Sequence, residues 1–452
     1  MKLAELFRAF GRSTIDAQAI HEDSAAVKVL IIGGGGREHA LAFKVAASSR
    51  VEQVFVAPGN AGTAREPKCE NVAIAADNVA ALCAFAQAQA VALTIVGPEV
   101  PLVAGVVDAF EALGLRIFGP TAQAARLEGS KQFCKDFLSR HAIPTAAYQG
   151  FTDLNAALDY IRTQGAPIVV KADGLAAGKG VILAMTVEEA EDAVRDMLAG
   201  NQFGAAGHRV VIEEFLHGEE ASFICMVDGV HVLPLASSQD HKARDEGDIG
   251  PNTGGMGAYS PAPVVTPEIH QRILDEVILP TVRGMAAEGH PYSGFLYAGL
   301  MIDAHGTPKV LEFNCRMGDP ETQPILMRLR SDLVELVEAA LDKQLDQVEA
   351  HWDPRAALGV VLAAKGYPDT YRKGDMIYGL AAPMGEDAKV FHAGTQIQQG
   401  QVVTAGGRVL CVVALGETVK QAHANAYFLA DQIHWEGLFY RKDIGHRAMA
   451  RE

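Results

Sequence analysis

An α/β protein with a β-rich C-terminal part is what this chain predicts, and three observations carry the prediction. Short apolar runs alternate with helical stretches over residues 28–128, the pattern of a parallel sheet. A second α/β region begins with IPTA after residue 142. From about 354 the runs turn β-rich (ALGVVLAAKGYP, KVFHAGT, RVLCVVALG), with one helix near 417–432. The expected division is an extension at 1–27, an N-terminal α/β domain at 28–128, a central domain at 129–353 and a separate C-terminal module at 354–452.

Composition narrows the class. A chain of 452 residues has room for about three domains, each with its own core. At 49% apolar it is globular. A formal charge of −16 argues against a broad nucleic-acid face, although a cleft can still focus positive charge on a small anion. The six cysteines (Cys69, Cys83, Cys134, Cys225, Cys315, Cys411) include no CxxC pair. Free thiols in the reducing cytoplasm are expected, without a zinc site. No apolar run reaches the roughly 18 residues of a membrane helix, so no membrane partner is expected.

The elements follow in order. MKLAELFRAFGRS offers a short amphipathic helix through Leu3, Leu6, Phe7 and Phe10. Glu5, Arg8 and Arg12 break any secretory core, and Glu5, Asp16, Glu22 and Asp23 are wrong for a transit peptide, so a frayed extension is expected. KVLII (28–32), QVFVA (53–57), LTIVG (93–97) and RIFG (116–119) read as strands, with helices at 78–90 and 101–114 between them. GGGGREHA at 33–40 follows the first strand but fails as a dinucleotide fingerprint. Glu38 holds the third glycine position, and Pro58 follows the second strand where a ribose-binding acid belongs. What remains is an anion-binding strand-to-helix turn or glycines used for packing alone, with Arg37 and His39 read as surface residues. PGNAGTA (58–64) and GPEVPL (97–102) follow other strands, so all three loops lie at carboxyl ends, where ligands of such sheets gather.

Residues 129–142 form a helix capped by Ser130, with Phe133, Phe137 and Leu138 on one face. IVVKADGLAAGKG (168–180) is a strand ending on Lys171 that runs into Gly174, Gly178, Lys179 and Gly180. Such a loop lets backbone and charge approach a polyphosphate. It is not a Walker A loop, because Gly180 stands where the hydroxyl belongs. In VVIEEFLHGEEASF (210–223) a strand ends at Glu213 and a short loop carries Glu219 and Glu220. This is either an adenosine-binding connector or a solvated acidic hairpin. GDIGPNTGGMGAYSPAP (247–263) reads as an ordered functional loop. In VLEFNCRMGDPETQ, Glu312 and Asn314 alternate with Leu311 and Phe313, so both leave one face of a strand. A carboxylate and an amide oxygen side by side suit Mg²⁺ shared with phosphates; the alternative is a surface strand with an ion pair. Arg316 points the same way if the strand continues, and could clamp a carboxylate or phosphoryl group.

Together these parts resemble the ATP-grasp superfamily. KVLIIGGGGREHALA, VAPGNAGTA, TIVGPEVPLVAGVVD, LEGSK, KADGLAAGKGV, EEFLHGEEASF, SQDHK, GPNTGGMGAYSPAP and EFNCRMGDPETQ are similar, within it, to the phosphoribosylamine–glycine ligase family, from about residue 28 onward. The resemblance implies a Rossmann-like N-terminal domain, a two-part ATP-grasp domain whose lid spans about 149–215, and a C-terminal β-rich domain. It implies an ATP-dependent ligase that joins glycine to 5-phosphoribosylamine through glycyl phosphate, acting as a monomer or at most a weak dimer. Lys131, Lys171, Gly174, Gly178, Lys179, Gly180 and Lys242 would contact ATP phosphates, with Lys171 and Arg316 catalytic. Glu213, Glu214, Phe215 and Leu216 would border adenine, with Glu220 on the ribose. Glu312 and Asn314 would hold Mg²⁺ or Mn²⁺. Arg316 with Asn252, Thr253, Gly254, Gly255, Met256 and Gly257 would position glycine, and Gly35, Gly36, Asn60 and Gly62 the phosphoribosyl group.

The chain departs from the family at Gly34, often a polar position, and in its first 27 residues. It is expected to lack later purine-pathway domains. Three competitors stay open: another ATP-grasp ligase such as a biotin carboxylase-like enzyme, a nicotinamide-dependent oxidoreductase, and a catalytically silent nucleotide-binding protein.

Overall fold

The computed structural model describes residues 26–175, 180–199, 208–380 and 385–452. The expected helix near the N-terminus lies outside them. The first sheet is parallel: β1 (Val27–Gly33), β2 (Val51–Pro58), β3 (Cys69–Asn71), β4 (Leu93–Val96) and β5 (Ile117–Phe118), in the order β3-β2-β1-β4-β5. The order reverses at β1, so the loops after β1, β2 and β4 open on one crevice. β3 went unread because CEN has no apolar run. The helix expected at 101–114 is two helices, Glu99–Val103 and Val106–Ala112, broken at Gly105 (φ +85°).

The second sheet has its own core. It comprises β6 (Tyr148–Phe151), β7 (Ile168–Ala172), β8 (Val181–Ala184) and β9 (Val210–Glu214), antiparallel in the order β6-β9-β7-β8. Helices Leu154–Gln164 and Val187–Leu198 cover one face, packing on Ile168, Val170, Ala172, Val210 and Ile212. The second helix starts with a Thr186–Glu189 capping box. Alternation then sends Lys171 and Glu213 to the opposite face.

β10 (Glu219–Asp228) opens the central sheet, joined by β11 (Val232–Pro234). Glu219 and Glu220 therefore start a strand and do not sit on a loop. No acidic hairpin exists here, because β9 and β10 belong to different sheets. Gly218 makes the turn at φ +155°, where a Cβ would stand 2.2 Å from the Ile302 carbonyl oxygen. Gly218→Ala should cost about 1–3 kcal/mol in denaturant unfolding. An unchanged midpoint would contradict this contact.

The glycine-rich stretch 247–263 is not a loop. After β12 (Gln239–Asp240), β13 (Ala243–Asp245) and β14 (Ile249–Asn252) pair as a hairpin. β15 (Gly257–Ser260) then enters a larger sheet. Gly257 (φ +159°) permits this: a Cβ would lie 2.6 Å from the Gly359 carbonyl oxygen, so only bare backbone reaches the neighbouring strand. Met256 and Tyr259 anchor the stretch, both fully buried in the C-terminal core.

β16 (Ser293–Ile302) and β17 (Pro308–Asn314) complete the central sheet in the order β11-β10-β16-β17. β18 (Ala356–Ala364), β19 (Ala388–His392), the β20 (Thr395–Gln398)–β21 (Gln401–Thr404) hairpin, β22 (Arg408–Gly416) and β23 (Leu438–Phe439) follow. Their sheet runs β12-β15-β18-β22-β19, with β23 on β18. The C-terminal module is thus not separate, since residues 239–260 supply two of its strands. Among the described residues no helix is long and apolar enough to cross a membrane.

Candidate active site

A buried charged cluster lies where the second sheet, β6-β9-β7-β8, meets the central sheet. Lys171 Nζ stands 3.0 Å from both Glu213 carboxylate oxygens and donates to the Leu311 carbonyl oxygen at 3.0 Å. Lys135 Nζ lies 2.7 Å from the same carboxylate. All three side chains are buried, at 7%, 3% and 3% exposure for Lys171, Glu213 and Lys135. The antiparallel register pairs Lys171 with Val211 and Val169 with Glu213, which sets the lysine and the glutamate on one diagonal. Burial lowers the Lys135 pKa, and Glu213 opposes that shift.

Ser130 caps the helix Lys131–Arg140, accepting from Phe133 N at 3.1 Å and donating to Asp173 at 3.0 Å. This ties the helix to the start of the lid loop. Lys131 Nζ donates to the Gly174 carbonyl oxygen at 3.0 Å, and burial lowers its pKa against the pull of Glu312. The Gly180 carbonyl oxygen accepts from Ala172 N at 2.8 Å. Gly178 and Lys179 lie outside the described residues. Glu214 is exposed, Phe215 half-buried and Leu216 buried along the connector beyond β9.

Lys242 bridges the two expected carboxylate sites, 3.1 Å from Glu220 and 3.8 Å from Glu312. The two acids stand on β10 and β17, either side of β16, where Met301 pairs with Glu220 and Gly299 with Glu312. Burial pushes the Glu312 carboxyl up, but Lys242, Lys171, Lys131 and Arg316 together outweigh it and hold it at about 2. Burial likewise lowers Lys242, yet Glu220 and Glu312 raise it well above its ordinary value. Glu312 and Asn314 leave β17 on one face as expected. Among the described residues no three His, Cys, Asp or Glu side chains gather as a metal site. A cation on two protein oxygens needs its remaining ligands from phosphate and water, which fits Mg²⁺ delivered with a nucleotide.

Arg316 departs from expectation. The strand stops at Asn314, and the guanidinium turns to Glu99 (3.2 Å) and Glu128 (2.9 Å). Glu128 also accepts from Cys315 N at 2.7 Å. Burial raises the Glu128 pKa while Arg316 draws it down. The arginine is held at the rim of the Glu312 cluster by two acids that the motif reading overlooked.

The 252–257 segment is gripped from the C-terminal sheet. Thr253 Oγ1 donates to the Lys242 carbonyl oxygen at 2.8 Å and accepts from Gly255 N at 3.0 Å, while Gly254 N donates to the Tyr367 hydroxyl at 2.9 Å. Arg408 donates to the carbonyl oxygens of Gly254 and of Asp319, the latter at 2.5 Å. Nothing in RVLCVVALG marked Arg408 beyond the start of a strand. Asn252 ends β14 half-buried.

At the N-terminal turn, Gly35 N donates to Glu38 at 2.5 Å, so the carboxylate occupying the third glycine position already caps this helix. Gly35 is therefore not a free anion donor. Arg37 and His39 are not surface residues: they are 7% and 1% exposed. Arg37 binds Glu38 at 2.6 Å and the Met317 carbonyl oxygen at 3.1 Å. The helix turns these long polar side chains under the loops because partners await them there. Gly36 abuts Gln323, whose Nε2 would lie 2.5 Å from a Cβ, so this turn and the 318–323 segment are neighbours. The Asn60 amide is consumed by main chain, donating to Gly34 O (3.0 Å) and His392 O (2.8 Å) and accepting from Gly62 N (2.8 Å). Asn60 thus shapes the turn and presents no free group to a ligand.

Comparison with known proteins agrees with this architecture. The N, ATP-grasp (A) and C domain models of phosphoribosylglycinamide synthetase match residues 27–128, 129–322 and 357–447. A phosphoribosylamine–glycine ligase of Vibrio vulnificus is 70% identical over 94% of this chain and 99% of its own length. The ligase of that name from Pseudomonas aeruginosa is also 70% identical over the same shares. The crystal structure of phosphoribosylamine–glycine ligase from Thermotoga maritima superposes with a TM-score of 0.79 at 35% identity, covering 92% of this chain and all of the other. The biotin carboxylase domain of a Hydrogenobacter thermophilus 2-oxoglutarate carboxylase, solved with MgADP and bicarbonate, reaches 0.71 at 15% identity over 91% of each chain. That likeness is one of fold alone.

Proposed function

The chain belongs to the phosphoribosylglycinamide synthetase family, and from that premise we propose how its residues carry out ATP-dependent ligation of glycine to 5-phosphoribosylamine, a step of purine biosynthesis. The observation that carries the proposal is Lys242 at 3.8 Å from Glu312, with Lys171 bonded to the carbonyl oxygen of the preceding residue and Lys131 adding its charge, beside the 252–257 segment. Three ammonium groups around one carboxylate match a triphosphate with a divalent cation.

In this reading ATP lies between the lid sheet and the central sheet. Adenine borders Glu213–Leu216, Glu220 meets the ribose, and Lys131, Lys171 and Lys242 meet the phosphates under the Gly174–Gly180 loop. Glu312 and Asn314 would hold Mg²⁺, or Mn²⁺ in its place, and the ion would supply charge neutralisation. Glycine sits between Arg316 and the Asn252–Gly257 segment. Its carboxylate oxygen attacks the γ-phosphorus, ADP leaves, and glycyl phosphate results. The amine of 5-phosphoribosylamine then attacks the acyl carbon and loses a proton, phosphate leaves, and the amide of glycinamide ribonucleotide forms. The chain's residues position and neutralise throughout, without a covalent intermediate on protein. The phosphoribosyl group rests against Gly36 and the Asn60–Gly62 turn. Gly35 contributes bare backbone, since a Cβ would meet Glu38 at 2.9 Å. Arg316 must exchange one of its two carboxylates for substrate. A monomer acting in the cytoplasm completes the proposal.

The test is ADP release from Mg-ATP, glycine and freshly generated phosphoribosylamine, with each component omitted in turn. Release that persists without glycine refutes the assignment. Water must also be kept from the acyl phosphate. Amide hydrogen exchange at 172–175 and 180–182 should therefore slow when Mg-ATP binds, and unchanged protection would count against closure of the lid loop.

A further inference from the structure

His39 has no place in the reaction just described, yet it is one of the most completely buried polar side chains of the N-terminal domain, at 1% exposure. Its ring is held at both nitrogens. The His392 N–H donates to Nδ1 at 2.7 Å, so Nδ1 carries no proton. Nε2 carries it and faces Glu66 at 2.9 Å. Glu66 is paired in turn with Lys389, whose ammonium stands 4.7 Å over the Phe43 ring. His39 and Glu66 come from the N-terminal domain, whereas Lys389 and His392 come from β19.

The consequence runs through one residue of main chain. The backbone of His392 is gripped twice, its N–H by His39 and its carbonyl by the Asn60 amide at 2.8 Å. The same amide holds the Gly34 carbonyl at 3.0 Å. His39 also packs directly beneath Gly62, where a Cβ would stand 2.3 Å from its ring. The line His39–His392–Asn60–Gly34 therefore joins the turns after β1 and β2. These are the turns given above to the phosphoribosyl group, and the inference rests on that reading.

We propose that His39 is a positioning residue for the phosphoribosyl substrate: by fixing the His392 main chain between its own Nδ1 and the Asn60 amide, it sets the spacing of the 34–36 and 59–62 turns. Glu66 orients the imidazole and fixes its tautomer, as carboxylates do for metal-bound imidazoles. Lys389 carries the grip into the C-terminal sheet, so docking of that sheet and binding of phosphoribosylamine are coupled.

The test uses the full-length chain with each substrate varied. His39→Leu keeps the bulk and removes both polar contacts. It should raise KM for phosphoribosylamine about tenfold, the effect of losing one buried hydrogen-bonded link. KM for ATP, KM for glycine and kcat should stay near wild type. His39→Asn, whose amide oxygen reaches the Nδ1 position, should restore most of the affinity; His39→Gln, which reaches only the Nε2 position, should not. Unchanged KM for phosphoribosylamine in a folded His39→Leu chain overturns the proposal, as does an equal rise in all three KM values. If His39→Leu does not fold, the Asn and Gln variants decide, and equal behaviour of the two overturns it. Ribose 5-phosphate separates this proposal from the reading beneath it. Competition with phosphoribosylamine in the wild type supports the subsite. Absence of competition removes the subsite and the positioning role together. Competition combined with indifferent His39 variants removes the positioning role alone.

Discussion

Glu312→Gln should lower kcat by about 1000-fold while the protein still folds. The figure follows from about 4 kcal/mol of charge stabilisation lost with a misplaced cation, at 1.36 kcal/mol per factor of ten. Glutamine keeps the shape and one oxygen but removes the charge. In the wild type the surrounding ammonium groups and Arg316 hold the carboxyl at about 2, so it is ionised near neutral pH. Its side chain is 37% exposed, open enough for an arriving Mg-nucleotide to reach. The substitution leaves Lys242 with Glu220 as its remaining carboxylate neighbour within 4 Å. That residual pair is partly solvated, so the loss of stability should be small. Steady-state turnover against Mg²⁺ concentration, with a thermal melt alongside, decides the matter. Turnover near wild type at ordinary Mg²⁺ would remove Glu312 from the metal site, and a collapsed melt would recast it as structural.

The parts of this site that the sequence made legible are those where side-chain chemistry and period coincide. Glu312 and Asn314 leave one face because a strand repeats every two residues, and the strand is there. Ser130 was readable as a cap because a hydroxyl precedes an apolar helical face, and it caps Phe133. The failures share one physical cause, contact between segments far apart in sequence. Nothing in GGGGREHA tells that His39 will meet residue 392, so a polar residue on a short helix reads as solvent-facing. Nothing in GDIGPNTGGMGAYSPAP tells that Gly257 lies against Gly359, so a glycine-rich run reads as a loop although it holds a strand. Extending the strand's direction puts Arg316 beside Glu312 and Asn314, whereas Glu99 and Glu128 capture it from the N-terminal side. Glu38 was noticed only as a missing glycine, when its carboxylate is the group that closes the turn.

Glu213→Gln should destabilise the fold by about 3–5 kcal/mol, the cost of breaking a buried ion pair from one side. One carboxylate here serves two buried ammonium groups, Lys171 and Lys135. Removing its charge leaves both unmatched, and the amide keeps one acceptor oxygen while turning the other position into a donor that faces an ammonium group. Lys135→Met is the informative contrast. It leaves Lys171 and Glu213 as a one-to-one pair and forfeits both the 2.7 Å contact of Lys135 with Glu213 and its 2.7 Å bond to Thr145 Oγ1. Its cost should be about 1–2 kcal/mol, because no longer burying an ammonium offsets much of the lost ion pair. The asymmetry matters for function because the triad spans two bodies. Lys171 and Glu213 stand on the lid sheet, Lys135 on the helix beside the central sheet, and Lys171 also donates to the Leu311 carbonyl oxygen next to Glu312. The same carboxylate that neutralises the lysines thus helps to hold the second sheet against the strand that carries Glu312 and Asn314, the proposed metal ligands. Chemical denaturation of the two single variants and the double variant, followed by ATP titration, tests both claims. Equal losses for Glu213→Gln and Lys135→Met would show that the pairs act independently. A Lys135→Met chain that folds well but binds ATP poorly would move the weight of the triad from stability to nucleotide recognition.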